Sequence, residues 1–459
     1  MHKLLLSLLI LLLGYSSNVL AQIDTLKYRI SLTDKDGTPY QIDKPEAFLS
    51  AKAIERRVKQ GISIDETDLP VSPTYVEQIK QLGLRIILTG KWDNFVTVSC
   101  NDTTAISTIR DLPFVRGVEL VWSASDKDIN PQPLIRDSVM NQMDWQEDYY
   151  GTAKNQIAIS QGDLLHAEGF KGEDMVIAVI DAGFHNMDQI GGMNNINVLG
   201  IKDFVNPCSD IYAEHSHGLA VLSCIAMNKP HYMVGTAPKA SFWLLRSEDD
   251  NSEHLVEQDY WSAAVEFADS VGVDIISTSL GYNEFDDKSK NYEYYHLDGE
   301  YALMSRQASK TANKGLILVC SAGNSGMGSW KKLTAPGDAR DIITVGAIDS
   351  SGVLAPFSSI GNTADNRIKP DVVAVGLQAS VMGTDGKIST ANGTSFSAPI
   401  MTGLVACLWQ ALPELTAKEL IDLLRSVGDR SAHPDNIYGF GIPNVWQAYQ
   451  QTKMVDDRK

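Results

Sequence analysis

"MVIAVIDAGF", Met175 to Phe184, decides how this chain folds. Its six leading residues are all apolar, so the segment does not alternate as a strand with one wet face would. It reads as a strand buried on both faces, the condition of a parallel sheet. "VDIIST" (Val273–Thr278), "GLILVC" (Gly315–Cys320) and "IITVGAI" (Ile342–Ile348) repeat the pattern, with helical segments between them. Strands alternating with helices imply right-handed βαβ crossovers. The expected fold is therefore α/β, a parallel sheet flanked by helices, over residues 151–452. Ligands bind such sheets beyond the carboxyl ends of the strands.

Residues 22–125 read differently, as a small α+β unit. "KYRISLTD" (Lys27–Asp34) predicts a strand. "PEAFLSAKAIERRVKQG" predicts a helix between Pro45 and Gly61, with Ala51, Ile54 and Val58 on its apolar face. "PTYVEQIKQLG" predicts a second, with Tyr75, Ile79 and Leu82 aligned. "LRIILTG" and "FVTVSC" flank "KWDN" as a hairpin, "TTAISTIRDL" is a short helix and "VRGVELVW" a last strand. Residues 126–150 carry two prolines and no periodicity and read as a linker. Residues 453–459 form a short polar tail.

The chain starts with His2 and Lys3, then "LLLSLLILLL" (Leu4–Leu13), then small residues up to Val19-Leu20-Ala21. This describes a secretory signal peptide, residues 1–21, cleaved before Gln22. The apolar run is too short to span a bilayer comfortably, so no membrane span is expected after its removal. The protein is expected to be exported, to an extracellular or periplasmic location. A formal charge of −18 argues against nucleic acid as a partner, because phosphate binding needs basic patches. Of five cysteines, Cys224, Cys320 and Cys407 lie in apolar runs and read as buried thiols. Cys208 and Cys224 could pair, but nothing in the sequence supports it, and no disulfide framework or metal-ligand spacing is present.

Four residues at strand ends or helix starts could carry chemistry. Asp181 follows the opening strand directly. His217-Gly218 precedes an apolar helical run, where the helix dipole would keep an imidazole neutral and able to act as a base. Asn324 follows the strand "GLILVC" and could turn its amide to a substrate oxygen. Ser395 stands in "ANGTSFSAPIMTG" (Ala391–Gly403), a helix start with Pro399 expected in its first turn. Serine needs a base, the base an orienting acid, and the oxyanion a donor. Each residue alone could be a cap or a turn; the set is what points to acyl transfer.

The segments "VIDAGF", "HGLAVLS", "STSLGYN", "SAGNSG" and "NGTSFSAP" resemble, in order, the motifs of subtilases, the subtilisin-like serine proteases. The resemblance implies a serine endopeptidase with Asp181, His217 and Ser395 as triad and Asn324 in the oxyanion hole. It implies that Ser279, Leu280 and Gly281 pair with the substrate backbone and that Ser321, Ala322 and Gly323 wall the primary specificity pocket. Its partners would be protein or peptide substrates. Residues 22–125 would be a propeptide acting as intramolecular inhibitor, so the protein would be made as a zymogen. No cofactor is required for the chemistry; a structural calcium ion is common in the family, but no residues here are assigned to it and any metal site is unknown. Leu219-Ala220, Phe396-Ser397 and Ala182 depart from the usual motif residues without removing a catalytic group. The acidic, tyrosine-rich segment Glu284 to Glu300 reads first as a solvated surface loop; the sharper alternative is that it lines the non-primed side of the cleft and favours basic or aromatic substrate residues. An α/β-hydrolase esterase is not supported: Gly393-Thr394-Ser395-Phe396-Ser397 fails G-x-S-x-G, and the order of the three residues is reversed.

Overall fold

The computed structural model describes residues 25–101, 103–124, 136, 138–140 and 142–456. The expected signal peptide and the first part of the expected linker lie outside the described residues. The amino-terminal elements form a four-stranded antiparallel sheet in the order β2-β3-β1-β4, from β1 (Leu26–Leu32), β2 (Arg85–Gly90), β3 (Phe95–Cys100) and β4 (Val115–Ser123). Helices Pro73–Gln81 and Thr104–Arg110 cover one face, around Ile30, Ile79, Val96 and Ile109. The expected hairpin is β2–β3.

The helix expected from Pro45 is split. A single 3₁₀ turn, Pro45–Ala47, precedes the helix Ala51–Lys59, which Ser50 caps by accepting from the Ala53 N–H. Its expected apolar face is overturned: Val58 is 75 % exposed, and the helix buries Ala53, Arg56 and Arg57 instead. The reason lies 212 residues away, where Asp269 accepts from Arg57 Nη2 at 2.8 Å and from Arg56 Nη2 at 2.5 Å. Charge pairing across the chain has overridden local periodicity.

The larger sheet has seven parallel strands in the order β13-β12-β11-β10-β5-β9-β6. They are β5 (Val176–Asp181), β6 (Asn197–Asp203), β9 (Ser241–Arg246), β10 (Ile275–Thr278), β11 (Ile317–Ser321), β12 (Ile343–Ile348) and β13 (Val372–Val375). Two small ribbons, β7 (Asn228–Lys229) with β8 (Met233–Val234) and β14 (Ala379–Met382) with β15 (Ile388–Ala391), complete the set. The continuous apolar runs are explained by β5: Ile177 and Val179 enter one core, Val176, Ala178 and Ile180 the other. Helices His217–Ala226 and Thr394–Ala411 cover the first face; Val256–Val271 and Leu303–Lys310 cover the second. Between β9 and β10 the chain crosses over β5, so the strand order reverses there, and a crevice opens at the carboxyl end. The closing helix, Val445–Asp456, runs into the stretch expected as a tail. None of the five cysteines is in a disulfide; Cys208 alone is exposed.

The small sheet sits on the helix Val256–Val271. Arg29 and Thr97 donate to Asp259, and the Lys91 and Trp92 N–H groups donate to Glu266 at 2.6 and 2.8 Å. Asp269 is fully buried, yet Lys91, Arg56 and Arg57 outweigh its desolvation and hold its carboxyl down at about 2. Asp269→Ala would take the paired carboxylate from buried Arg56 and leave buried Arg57 with Asp68 alone, and the expected cost is about 3–5 kcal/mol, read as a lowered denaturant midpoint. Because the folded value is depressed, the stability from Asp269 is present above the unfolded carboxylate value of about 4 and is lost as pH falls toward 2.

Candidate active site

The crevice at the strand reversal is a cavity of about 380 Å³. Asp181 ends β5 and is fully buried, and its Oδ1 accepts from the Ala182 N–H and from His217 Nδ1, both at 2.8 Å. His217 opens its helix, as expected. The glycine after it serves closeness rather than turning. A Cβ on Gly218 would meet the Gly183 carbonyl oxygen at 2.3 Å and Asp181 Cβ at 3.0 Å. Only a bare backbone lets the helix approach β5 near enough for the imidazole to reach Asp181.

The expected neutrality of His217 is corrected. Burial disfavours its cation, but the Asp181 carboxylate, with Glu248 and Asp250 beyond it, wins and holds the imidazole at about 9. Three carboxylates outweigh the partial positive charge of one helix terminus.

Ser395 lies at the start of the helix Thr394–Ala411, whose first N–H groups have no intrahelical partner. Pro399 stands in the second turn, not the first. It removes the N–H that would pair with the Ser395 carbonyl, and the Ser279 hydroxyl donates to that carbonyl instead, at 2.8 Å. The serine is thereby tied to the chain leaving β10. The Ser395 hydroxyl donates to the Ser279 carbonyl over a long 3.4 Å and makes no hydrogen bond to His217. The imidazole stands beside the same turn, 6.0 Å from the Phe396 ring centre.

Asn324 is oriented by chemistry. Its Oδ1 accepts from the Thr394 N–H and hydroxyl, both at 2.9 Å. A backbone N–H can only donate, so the carboxamide oxygen must face Thr394, and the NH₂ is left for the cleft.

Ser279, Leu280, Gly281, Ser321 and Gly323 line the cavity with the four residues just described, except Asp181, which lies behind His217. Ala322 does not: its side chain is buried with Leu297 and Leu333. Among the described residues the backbone groups of Leu280 and Gly281 make no hydrogen bond, which leaves them free to pair with an added strand. A Cβ on Gly281 would lie 2.1 Å from Thr334 Oγ1, so the two walls meet over a narrow floor. His215, the rival to His217 two positions earlier in the sequence, also lines the cleft, as do Thr334, Glu248 and Asp250, which sequence reasoning missed. "SEDD" directly after β9 was the available signal for the acids; nothing local marks Thr334. The tyrosine-rich segment 284–300 is placed elsewhere: Phe285 and Tyr292 are in the core and Lys290 pairs with Glu119 of the small unit at 3.6 Å.

The carboxylates of Glu248, Glu253 and Glu257 lie within 4.8 Å of one another. Glu257 already accepts from the His254 N–H and the Tyr282 hydroxyl. Calcium takes six to eight oxygens, and these three side chains alone fall short of that, so no calcium site is assigned.

Residues 172–441 match the profile of the subtilase family, and residues 27–134 match that of the peptidase S8 propeptide domain of Bacteroidota. Serine protease AprX of Bacillus subtilis is 28 % identical over 313 residues, 61 % of this chain and 67 % of that protein. Subtilisin NAT of Bacillus subtilis subsp. natto is 29 % identical over 289 residues, 62 % of this chain and 68 % of that protein. Subtilisin DY of Bacillus licheniformis is 27 % identical over 296 residues, 64 % and 97 % respectively.

Proposed function

The chain belongs to the subtilase family, and from that premise, which makes it a serine endopeptidase hydrolysing peptide bonds, we propose that Asp181, His217 and Ser395 are its triad. The observation that carries the assignment is the 2.8 Å bond from His217 Nδ1 to buried Asp181, in a cleft lined by Ser395 and Asn324. With Nδ1–H given to Asp181, neutral His217 presents Nε2 as the base. The Ser395 hydroxyl turns from the Ser279 carbonyl to Nε2, loses its proton there and attacks the scissile carbonyl. The oxyanion is met by the Asn324 NH₂ and the Ser395 N–H. The imidazolium returns the proton to the leaving amine, and water repeats the sequence on the acyl-enzyme. No cofactor takes part.

The peptide backbone would pair with Ser279, Leu280 and Gly281, its side chain passing Ser321 and Gly323. The small unit on the helix Val256–Val271 would act as intramolecular inhibitor, so that the protein is made as a zymogen and processed within 126–150. Residues 1–21 would direct export to the periplasm or beyond. Among the described residues no helix is long and apolar enough to cross a membrane.

Fluorophosphonate labelling tests the assignment. The processed protein should label, and Ser395→Ala should not; a label that persists in the variant, or fails on the processed wild type, would defeat it. Asn324→Ala should lower kcat by about 10²–10³, the magnitude known from subtilisin, with a much smaller change in KM, because the lost contact is to the oxyanion.

A further inference from the structure

We propose that the cleft selects substrates bearing a lysine or arginine side chain beside the scissile bond, held by Glu248 and Asp250. The inference rests on the endopeptidase reading of the same cleft. Both carboxylates line the cavity next to His217 and Ala182, and among the described residues no lysine or arginine lines it. The nearest guanidinium, Arg246 at the end of β9, is committed elsewhere. It donates to the Ala182 carbonyl at 2.9 Å and to Asp203 at 3.0 Å, and it lies 3.4 Å from Glu214.

Glu248 therefore faces the cleft without a lysine or arginine bonded to it; after burial, the charges that act on it most are Asp181, which opposes its ionisation, and the His217 imidazolium, which favours it. It makes no hydrogen bond or ion pair with any described residue, and Asp250 meets only His215 Nε2, at 3.5 Å. The carboxyls of Glu253 and Glu257 lie within 4.8 Å of that of Glu248 and of one another, and burial first, then repulsion among the three, push both of them up. Burial first, and then Asp181, push the Glu248 carboxyl up to about 7. A half-buried carboxylate without a partner is costly, and a guest ammonium or guanidinium would relieve that cost while gaining a low-dielectric ion pair. A second feature of the cavity also points to a polar guest. The Thr334 hydroxyl is buried in its lining and has no partner, whereas buried hydroxyls are ordinarily bonded.

Glu248 is close enough to His217 to raise its proton affinity. The side chain it would hold thus belongs to the few residues that precede the scissile bond and pass the imidazole. Cleft acids of this kind also steer cationic substrates into place, an effect that salt weakens.

The experiment compares matched fluorogenic peptides carrying Lys, Gln or Glu at each of the positions before the scissile bond, with the processed protein. At one position kcat/KM should be about tenfold or more higher for Lys than for Gln, with Glu lowest, and the ratio should narrow as sodium chloride is raised. Glu248→Gln should bring the Lys-to-Gln ratio toward one, and Asp250→Asn should lower it in part. Using the ratio cancels any change in His217 or in the amount of folded enzyme. Equal rates for Lys and Gln at every position would overturn the proposal, as would a preference that survives in the double variant. Fluorophosphonate labelling and cleavage of the Gln peptides report separately on the endopeptidase reading. Intact labelling with no charge preference sinks only this inference.

Discussion

Ser395→Ala is expected to lower turnover by about 10⁶-fold, the scale on which subtilisin responds to loss of its nucleophile. In the proposed mechanism the loss is total in chemical terms, because Ser395 supplies the oxygen that attacks the carbonyl and the proton that His217 takes. The structural cost is small by comparison. The Ser395 hydroxyl makes only the 3.4 Å contact to the Ser279 carbonyl, while the tie that holds the helix start in place runs from Ser279 to the Ser395 carbonyl and survives the substitution. Thermal unfolding should therefore shift little while kcat collapses. A variant that kept more than a hundredth of wild-type turnover, with proteolytic contamination excluded, would remove Ser395 from the mechanism.

Asp181→Asn is expected to cost about 10⁴-fold in kcat with the fold intact. The Asp181 Oδ1 accepts from both the Ala182 N–H and His217. An asparagine that keeps its oxygen in the place of Oδ1 can still accept from the Ala182 N–H and from His217 Nδ1, so what it removes is the negative charge that stabilises the imidazolium formed when Ser395 gives up its proton. The pH profile adds a second reading. The base is active when neutral, so with His217 held at about 9, kcat/KM of the wild type should climb with pH until about 9 and level above it. Asp181 is the largest influence raising that value, so in Asp181→Asn the residual activity should level at lower pH. A limb that stays in place would mean that Asp181 does not govern the imidazole.

Position in the candidate site was legible in the sequence where it is set locally. Asp181 could be read because an acid at the end of an unbroken apolar run has to emerge at the sheet edge, and His217 and Ser395 because small or polar residues open apolar helices. What depends on distant partners was poorly legible. The buried arginines of the helix Ala51–Lys59 make sense only with Asp269 in place, and periodicity alone put Val58 inside. The charge state of His217 is set by burial against Asp181 first and then by Glu248 and Asp250, and the last two reach it only once β9 is laid beside β5. The orientation of Asn324 is set by Thr394, 70 residues further on. Pro399 was visible, but its effect on the Ser395 carbonyl required Ser279 to be across from it.

The ion pairs that seat the small sheet have a kinetic meaning. Its side of the contact presents Arg29, Arg56, Arg57 and Lys91, and the helix beneath presents Asp259, Glu266 and Asp269. In the uncut chain these groups are held together at a fixed effective concentration, and the medium has little say. Once the connection is severed, the same groups become two oppositely charged bodies meeting by diffusion. Their encounter rate then depends on ionic strength, so brine would delay recapture and fresh water would hasten it. The delay between cutting and full release would thus be set by the salinity of the surroundings as well as by the strength of the contact.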